Sequence, residues 1–168
     1  RQKMANIGFI GLGIMGTPMA GNLIKGGHTV FTHTRGETPA TLLHAGARPC
    51  TSGAEAARNA DIIITMVPDT PHVEDVLFNP EGVAAGLTRD KIVVDMSSIS
   101  PVATKDFAKR INALGCEYLD APVSGGEVGA KAASLTIMVG GEAAAFERAL
   151  PLFELMGKNI THVGPVGD

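Results

Sequence analysis

Three glycines in the segment GLGIMG, Gly11, Gly13 and Gly16, have the spacing with which a main chain grips a pyrophosphate. The first permits a tight turn. At the second, a side chain would keep the phosphates off the backbone. The third lets a helix pack closely on the strand before it. Leu12, Ile14 and Met15 complete the loop. A helix opening there adds free N–H groups and a positive dipole end. The chemistry this implies is dinucleotide binding, done mostly by backbone. Met15 taken alone reads as core filler.

The end of the next strand selects the cofactor. Folds that bind NAD usually carry Asp or Glu there, to hydrogen-bond the adenine ribose. Here the residues are His33, Thr34 and Arg35, with no acid before Glu37. A carboxylate repels a 2′-phosphate, whereas an arginine can grip it. The expected cofactor is therefore NADP(H), with NAD(H) second. The alternative for Arg35 is an ordinary solvated charge.

Further polar or backbone-rich turns follow other apolar runs. Met66, Val67 and Pro68 follow IIIT, where they can line the cofactor's adenosine-ribose side. Ser97 and Ser98 follow IVVD, and their hydroxyls can reach the nicotinamide end. SSISP is equally a good helix N-cap sequence. Ser124, Gly125 and Gly126 offer a hydroxyl and backbone N–H groups suited to a small carboxylate. On composition alone that segment reads better as a flexible hairpin tip.

An acid/base catalyst is missing from this reading. The five histidines are scattered, and no His/Cys/Asp set has metal-ligand spacing. Lys25, Lys105 and Lys109 fall on solvated helix faces. Lys131 lies close to the Ser-Gly-Gly segment but has no special context. No metal site is expected.

The elements that must position these groups alternate. Expected strands are Ile7–Ile10, Thr29–His33, Ile62–Thr65, Ile92–Asp95, Glu117–Ala121, Leu135–Val139 and Thr161–Val163. Expected helices are Ile14–Lys25, Pro39–Ala45, Gly53–Asn59, Thr70–Phe78, Pro101–Leu114 and Glu142–Met156. Strands alternating with helices predict an α/β fold with a doubly wound, mainly parallel sheet of the Rossmann type. The segment DAPVSGGEVGAKAASLTIMVGG breaks the rhythm. It reads as a glycine-rich loop with no room for an ordinary crossover helix, which predicts a mixed or antiparallel C-terminal edge.

Bulk properties agree with one such domain over residues 4–168. Hydrophobic residues make up 45% of the 168 and charged residues 18%, enough for a real core. A net charge of -3 supplies no basic footprint for nucleic acid. Cys50 and Cys116 form no CxxC pattern and read as free thiols. No secretory signal or membrane-length apolar run is seen, so the expected location is the cytoplasm, without membrane association. RQK ahead of Met4 reads as a vector remnant, and Gly164–Asp168 reads as a turn leading onward.

Four segments together resemble the β-hydroxyacid dehydrogenases: GFIGLGIMGTPMAGNL, MVPDTPHVEDVLF, DMSSISP and DAPVSGGEVGA. PLFELMGKNITHVG fits the same family. The resemblance implies that Gly11 to Gly16, with Ile14 and Met15, bind the pyrophosphate. It puts Thr34 and Arg35 beside the adenine ribose, Val67 and Pro68 along the cofactor, and Ser98 at the nicotinamide ribose. It assigns Ser124, Gly125 and Gly126 to the substrate carboxylate, against the hairpin-tip reading. In that family a lysine in a GxxxKxxxN helix is the general acid/base. By the resemblance it would lie just beyond Asp168, at the start of an all-helical domain. The implied reaction is hydride transfer between NAD(P)H and a small acid, tartronate semialdehyde by preference and a 3-hydroxyisobutyrate-type acid as the alternative. A homo-oligomer is implied for the full-length enzyme, and no activity for these residues alone. A different class, a non-catalytic dinucleotide-binding module, stays open; a downstream GxxxKxxxN segment would decide against it.

Overall fold

The computed structural model describes residues 4–167; the expected remnant at residues 1–3 and Asp168 lie outside the described residues. Six strands run parallel: β1 (Asn6–Ile10), β2 (Thr29–His33), β3 (Arg48–Pro49), β4 (Ile62–Thr65), β5 (Ile92–Asp95) and β6 (Glu117–Asp120). They are connected by α1 (Gly16–Lys25), α2 (Ala40–Ala45), α3 (Gly53–Asn59), α4 (Thr70–Phe78), a 3-10 turn (Val83–Gly86) and α5 (Pro101–Asn112). The rest of the chain forms β7 (Val123–Ser124), α6 (Gly126–Ala132), β8 (Leu135–Gly140), α7 (Ala143–Met156) and β9 (Gly157–Gly164).

The sheet order is β3-β2-β1-β4-β5-β6-β8-β7, with β9 also paired to β8. The chain winds outward from β1 in one direction, then from β4 in the other. A crevice opens at such a reversal, beyond the carboxyl ends of the strands. This is the doubly wound fold that the alternation predicts.

Helices cover both faces, which explains why IIIT and IVVD are apolar throughout instead of alternating. Ile7, Phe9, Ile64 and Val94 pack toward α1, α6 and α7, with Met19, Leu23, Ala130 and Phe153. Ile63, Val93 and Tyr118 pack toward α3, α4 and α5, with Ala57, Leu77, Phe107 and Ile111. Helix starts fall where a side chain can bond the first free N–H groups. Ser52 accepts from Glu55 N at 3.0 Å, Asp69 from His72 N at 3.3 Å and Ser100 from Ala103 N at 3.5 Å.

The glycine-rich segment differs in detail from its expected form. It holds the short strand β7 and the seven-residue helix α6, so it is not all loop. Helix α6 joins antiparallel strands, so it is no crossover helix, and the mixed edge expected there is present. Its buried side packs on α1, where Asn22 Nδ2 donates to the Ala130 carbonyl at 2.9 Å. The seven residues GEVGAKA carry too weak a pattern to announce so short a helix. β9 is also longer than expected, since its edge position leaves alternate residues exposed.

Candidate functional site

A cleft of about 630 Å³ lies over the carboxyl ends of β1, β2, β4 and β5. Its floor is the whole loop from Gly11 to Gly16. One wall carries His33, Thr34 and Arg35, the other Met66, Val67 and Pro68, and Ser98 reaches it from beyond β5. Apart from Ser97, every residue expected to touch the cofactor lines this one cavity.

The three glycines of the loop have different surroundings. Gly11 has φ +101°, a conformation L side chains rarely adopt, and a Cβ there would run into the Met66 carbonyl. A Cβ on Gly16 would strike the Gly11 carbonyl, so helix and loop could not meet as they do. A Cβ on Gly13 would meet nothing within 4 Å. It would project from an exposed position into the cleft. That cradle, at the N-terminal end of α1, offers backbone N–H groups and a positive dipole end to an anion such as a pyrophosphate. The residues present fit a nicotinamide dinucleotide.

Hydrogen bonds tie the walls to the floor. Gly11 N donates to the His33 carbonyl at 3.0 Å, and Leu12 N to Thr34 Oγ1 at 3.3 Å. Thr17 Oγ1 donates to the Leu12 carbonyl at 2.8 Å. His33 Nδ1 lies 3.2 Å from the Cys50 carbonyl, which orients the ring at the end of β2. Arg35 is exposed and makes no ion pair among the described residues. Met15 is half-buried, packing against the core and lining the cleft.

Ser97 and Ser98 part company. Ser98 is exposed and lines the cleft; Ser97 is buried, and its Oγ accepts from Val67 N at 2.9 Å. The expectation that both hydroxyls reach the cofactor is thereby corrected for Ser97, which is turned into the core. Adjacent residues on an extended turn point to opposite sides, and sequence alone does not say which points inward.

Ser124, Gly125 and Gly126 do not line this cleft. They are exposed and follow β6, whose carboxyl end lies on the same edge of the sheet as that of β5. Gly125 (φ +133°) and Gly126 (φ +63°) both take conformations open to glycine and lead into α6. Lys131 is exposed on α6 and bonds Glu127 at 2.8 Å, an ordinary i,i+4 surface pair. No lysine lines the cleft among the described residues.

Sequence reasoning missed the far end of the cleft, where Thr51, Ser52 and Gly53 face His72, Asn79 and Glu81. A signal existed: Ser52 followed three residues later by Glu55 marks a helix start, here at the carboxyl end of β3. Glu55 also accepts from Thr51 N at 2.6 Å and from Thr51 Oγ1 at 3.1 Å, and these two bonds hold its carboxyl below the usual range.

A doubly wound sheet with a glycine loop at its reversal, and a cleft that leaves room at Gly13, defines a dinucleotide-binding domain. Residues 6–164 match the NAD binding domain of 6-phosphogluconate dehydrogenase, and the chain belongs to that family, the β-hydroxyacid dehydrogenases. It is 56% identical over 162 residues to 2-hydroxy-3-oxopropionate reductase of Escherichia coli, covering 96% of this chain and 56% of that protein. Among solved structures, Mycobacterium tuberculosis 3-hydroxyisobutyrate dehydrogenase with L-serine superposes with a TM-score of 0.88 at 36% identity, over 98% of this chain and 56% of that one. Psf3 in complex with NADP+ and 2-OPP gives 0.92 at 31% identity, over 96% and 58%. The chain thus spans little more than half the length of these relatives.

Proposed function

We propose that this domain holds NADP(H), with NAD(H) as the weaker ligand, for reversible reduction of a small 2-hydroxy-3-oxo acid, tartronate semialdehyde by preference. The observation that carries the reading is the cleft: twelve residues expected at the cofactor, from Gly11 to Ser98 and excepting Ser97, line it together. The 56% identity to the Escherichia coli reductase supports the substrate. The likeness to 3-hydroxyisobutyrate dehydrogenase supports the second reading, a branched 3-hydroxyacid.

When bound, the nicotinamide supplies the hydride, and the protein's task is to bind, orient and exclude water. The Gly11–Gly16 backbone and the first turn of α1 receive the pyrophosphate. Arg35 and Thr34 take the adenine ribose and its 2′-phosphate, and Ser98 the nicotinamide ribose. The Ser124 hydroxyl and the N–H groups opening α6 receive the substrate carboxylate, since the first turn of a helix leaves them without intrahelical acceptors.

The proton for the forming alkoxide comes from a lysine beyond Asp168. Two observations support this. Pro165 and Val166 run against Gly140, the register partner of Asp120, on the carboxyl-end edge of the sheet. Ile14 (70% exposed), Val102 (80%) and Val128 (81%) also leave apolar side chains open on that edge. A helical domain packed there would cover them and close the crevice to water. The whole enzyme is read as a cytoplasmic homo-oligomer. The test is NADPH oxidation with tartronate semialdehyde, comparing these residues with a chain extended through the following domain. Turnover by the longer chain only is the expected result. Equal turnover would place the proton donor within these residues, with Lys131 the first to replace.

A further inference from the structure

Three strands bring polar side chains into register at the edge of the cleft. Thr65 on β4 pairs with Asp95 on β5, and Asp95 pairs with Asp120 on β6. Thr65 and Asp95 have no exposed surface, and Ser97 has almost none. Burying a carboxyl is costly, and a strand reading Ile-Val-Val has no packing need for one. Its bonds show what it holds. Asp95 Oδ1 accepts from Thr65 Oγ1 at 2.9 Å and from Ser97 N at 3.1 Å. Ser97 Oγ accepts from Val67 N at 2.9 Å. The chain of bonds thus joins the end of β4, the end of β5 and the turn between β4 and α4. Met66, Val67, Pro68 and Ser98, all on the two turns it joins, line the cleft, while Asp95 and Ser97 do not.

We propose that Asp95 is a positioning residue for the dinucleotide site, acting through Ser97 to fix the Met66–Pro68 turn and the Ser98 backbone against the cleft. It touches no ligand. This rests on the reading of the cleft as a dinucleotide site. All of its accepting is done at Oδ1, so an amide oxygen can replace it. The turns it fixes form the wall opposite Arg35 and do not include it, so its loss weakens NADPH and NADH alike.

The test is titration of this chain with NADPH and NADH, with a thermal midpoint for each variant. Ser97→Ala strips Val67 N of its acceptor, and Asp95→Ala strips both donors at Oδ1. Each should weaken both dinucleotides by about five- to tenfold, the worth of one hydrogen bond to a buried group. Asp95→Asn should recover most of the binding lost in Asp95→Ala. Ile111→Val loosens the same α5 side of the core without touching the network. It should lower the midpoint about as much as Ser97→Ala and leave both affinities unchanged. Wild-type affinity in Ser97→Ala would overturn the proposal. So would an equal loss in Ile111→Val, or no recovery in Asp95→Asn. A wild-type chain that binds neither dinucleotide would instead sink the cofactor reading, and this inference with it.

Discussion

The Leu12 N–H donates to Thr34 Oγ1 at 3.3 Å across the floor of the cleft, joining the glycine loop to the end of β2. The loop has no side-chain cap of its own, since Met15 precedes α1 without offering one. Its shape therefore leans on a neighbour in space that lies 22 residues along the chain. Thr34→Val keeps the volume and removes the acceptor. The expected result is a loss of about 0.5–1.5 kcal/mol in dinucleotide binding, or roughly two- to tenfold. Thr34→Ser should restore it. Calorimetric titration of the two variants checks both statements.

Gly13 and Gly16 should fail in different ways when enlarged. Gly13→Val adds atoms where the protein has none within 4 Å, in space the pyrophosphate needs. Binding should be lost while stability moves by no more than about 0.5 kcal/mol, as at other exposed positions. Gly16→Val drives a side chain into the Gly11 carbonyl, and Phe9 lies 3.3 Å from the added atom. There both binding and the melting temperature should fall. Circular dichroism melts beside NADPH titrations separate the cases. Retained binding in Gly13→Val would remove the loop from the phosphate site.

Arg35 is exposed and unpaired among the described residues, so its charge is free for a ligand. Arg35→Asp should weaken NADPH by about ten- to a hundredfold, the worth of a charge-assisted bond, and NADH far less. Equal losses, or a wild-type preference for NADH, would make Arg35 a surface charge only.

Much of this site was legible because it is local in sequence. The glycine loop, the Thr34–Arg35 turn, Val67–Pro68 and Ser98 each sit next to an apolar run whose period fixes where it ends. What sequence hid was non-local or too short to have a period. Ser97 and Ser98 are neighbours of one type, and only Val67 N, 30 residues away, decides which turns inward. The short helix α6 owes its place to α1 as well as to its own residues, through the Asn22–Ala130 bond. Asp95 read as the polar end of an apolar strand, because its partners Thr65 and Asp120 come from two other strands.

Asp95 should leave its mark on stability as pH changes. Burial pushes its carboxyl up to about 6, while hydrogen bonds from Ser97 and Thr65 pull the other way without cancelling it. Asp120, half-exposed at the next register position, is raised in the same sense by its own burial. A carboxyl whose folded pKa lies above its unfolded value takes up a proton on folding. Its contribution is therefore full below about pH 4 and is lost as pH rises through about 6. A shift of this size corresponds to roughly 2–3 kcal/mol for Asp95. Asp95→Asn cannot ionise and keeps an acceptor for Thr65 and Ser97. The stability of the wild-type chain relative to Asp95→Asn should thus fall by about that much between pH 4 and pH 7. Urea unfolding of both proteins at half-unit steps measures the difference and cancels the other carboxylates, including Glu55 and Asp69, whose lowered values act in the opposite direction. A flat difference across that window would mean that Asp95 is ionised in the fold at no cost, with a partner for Oδ2.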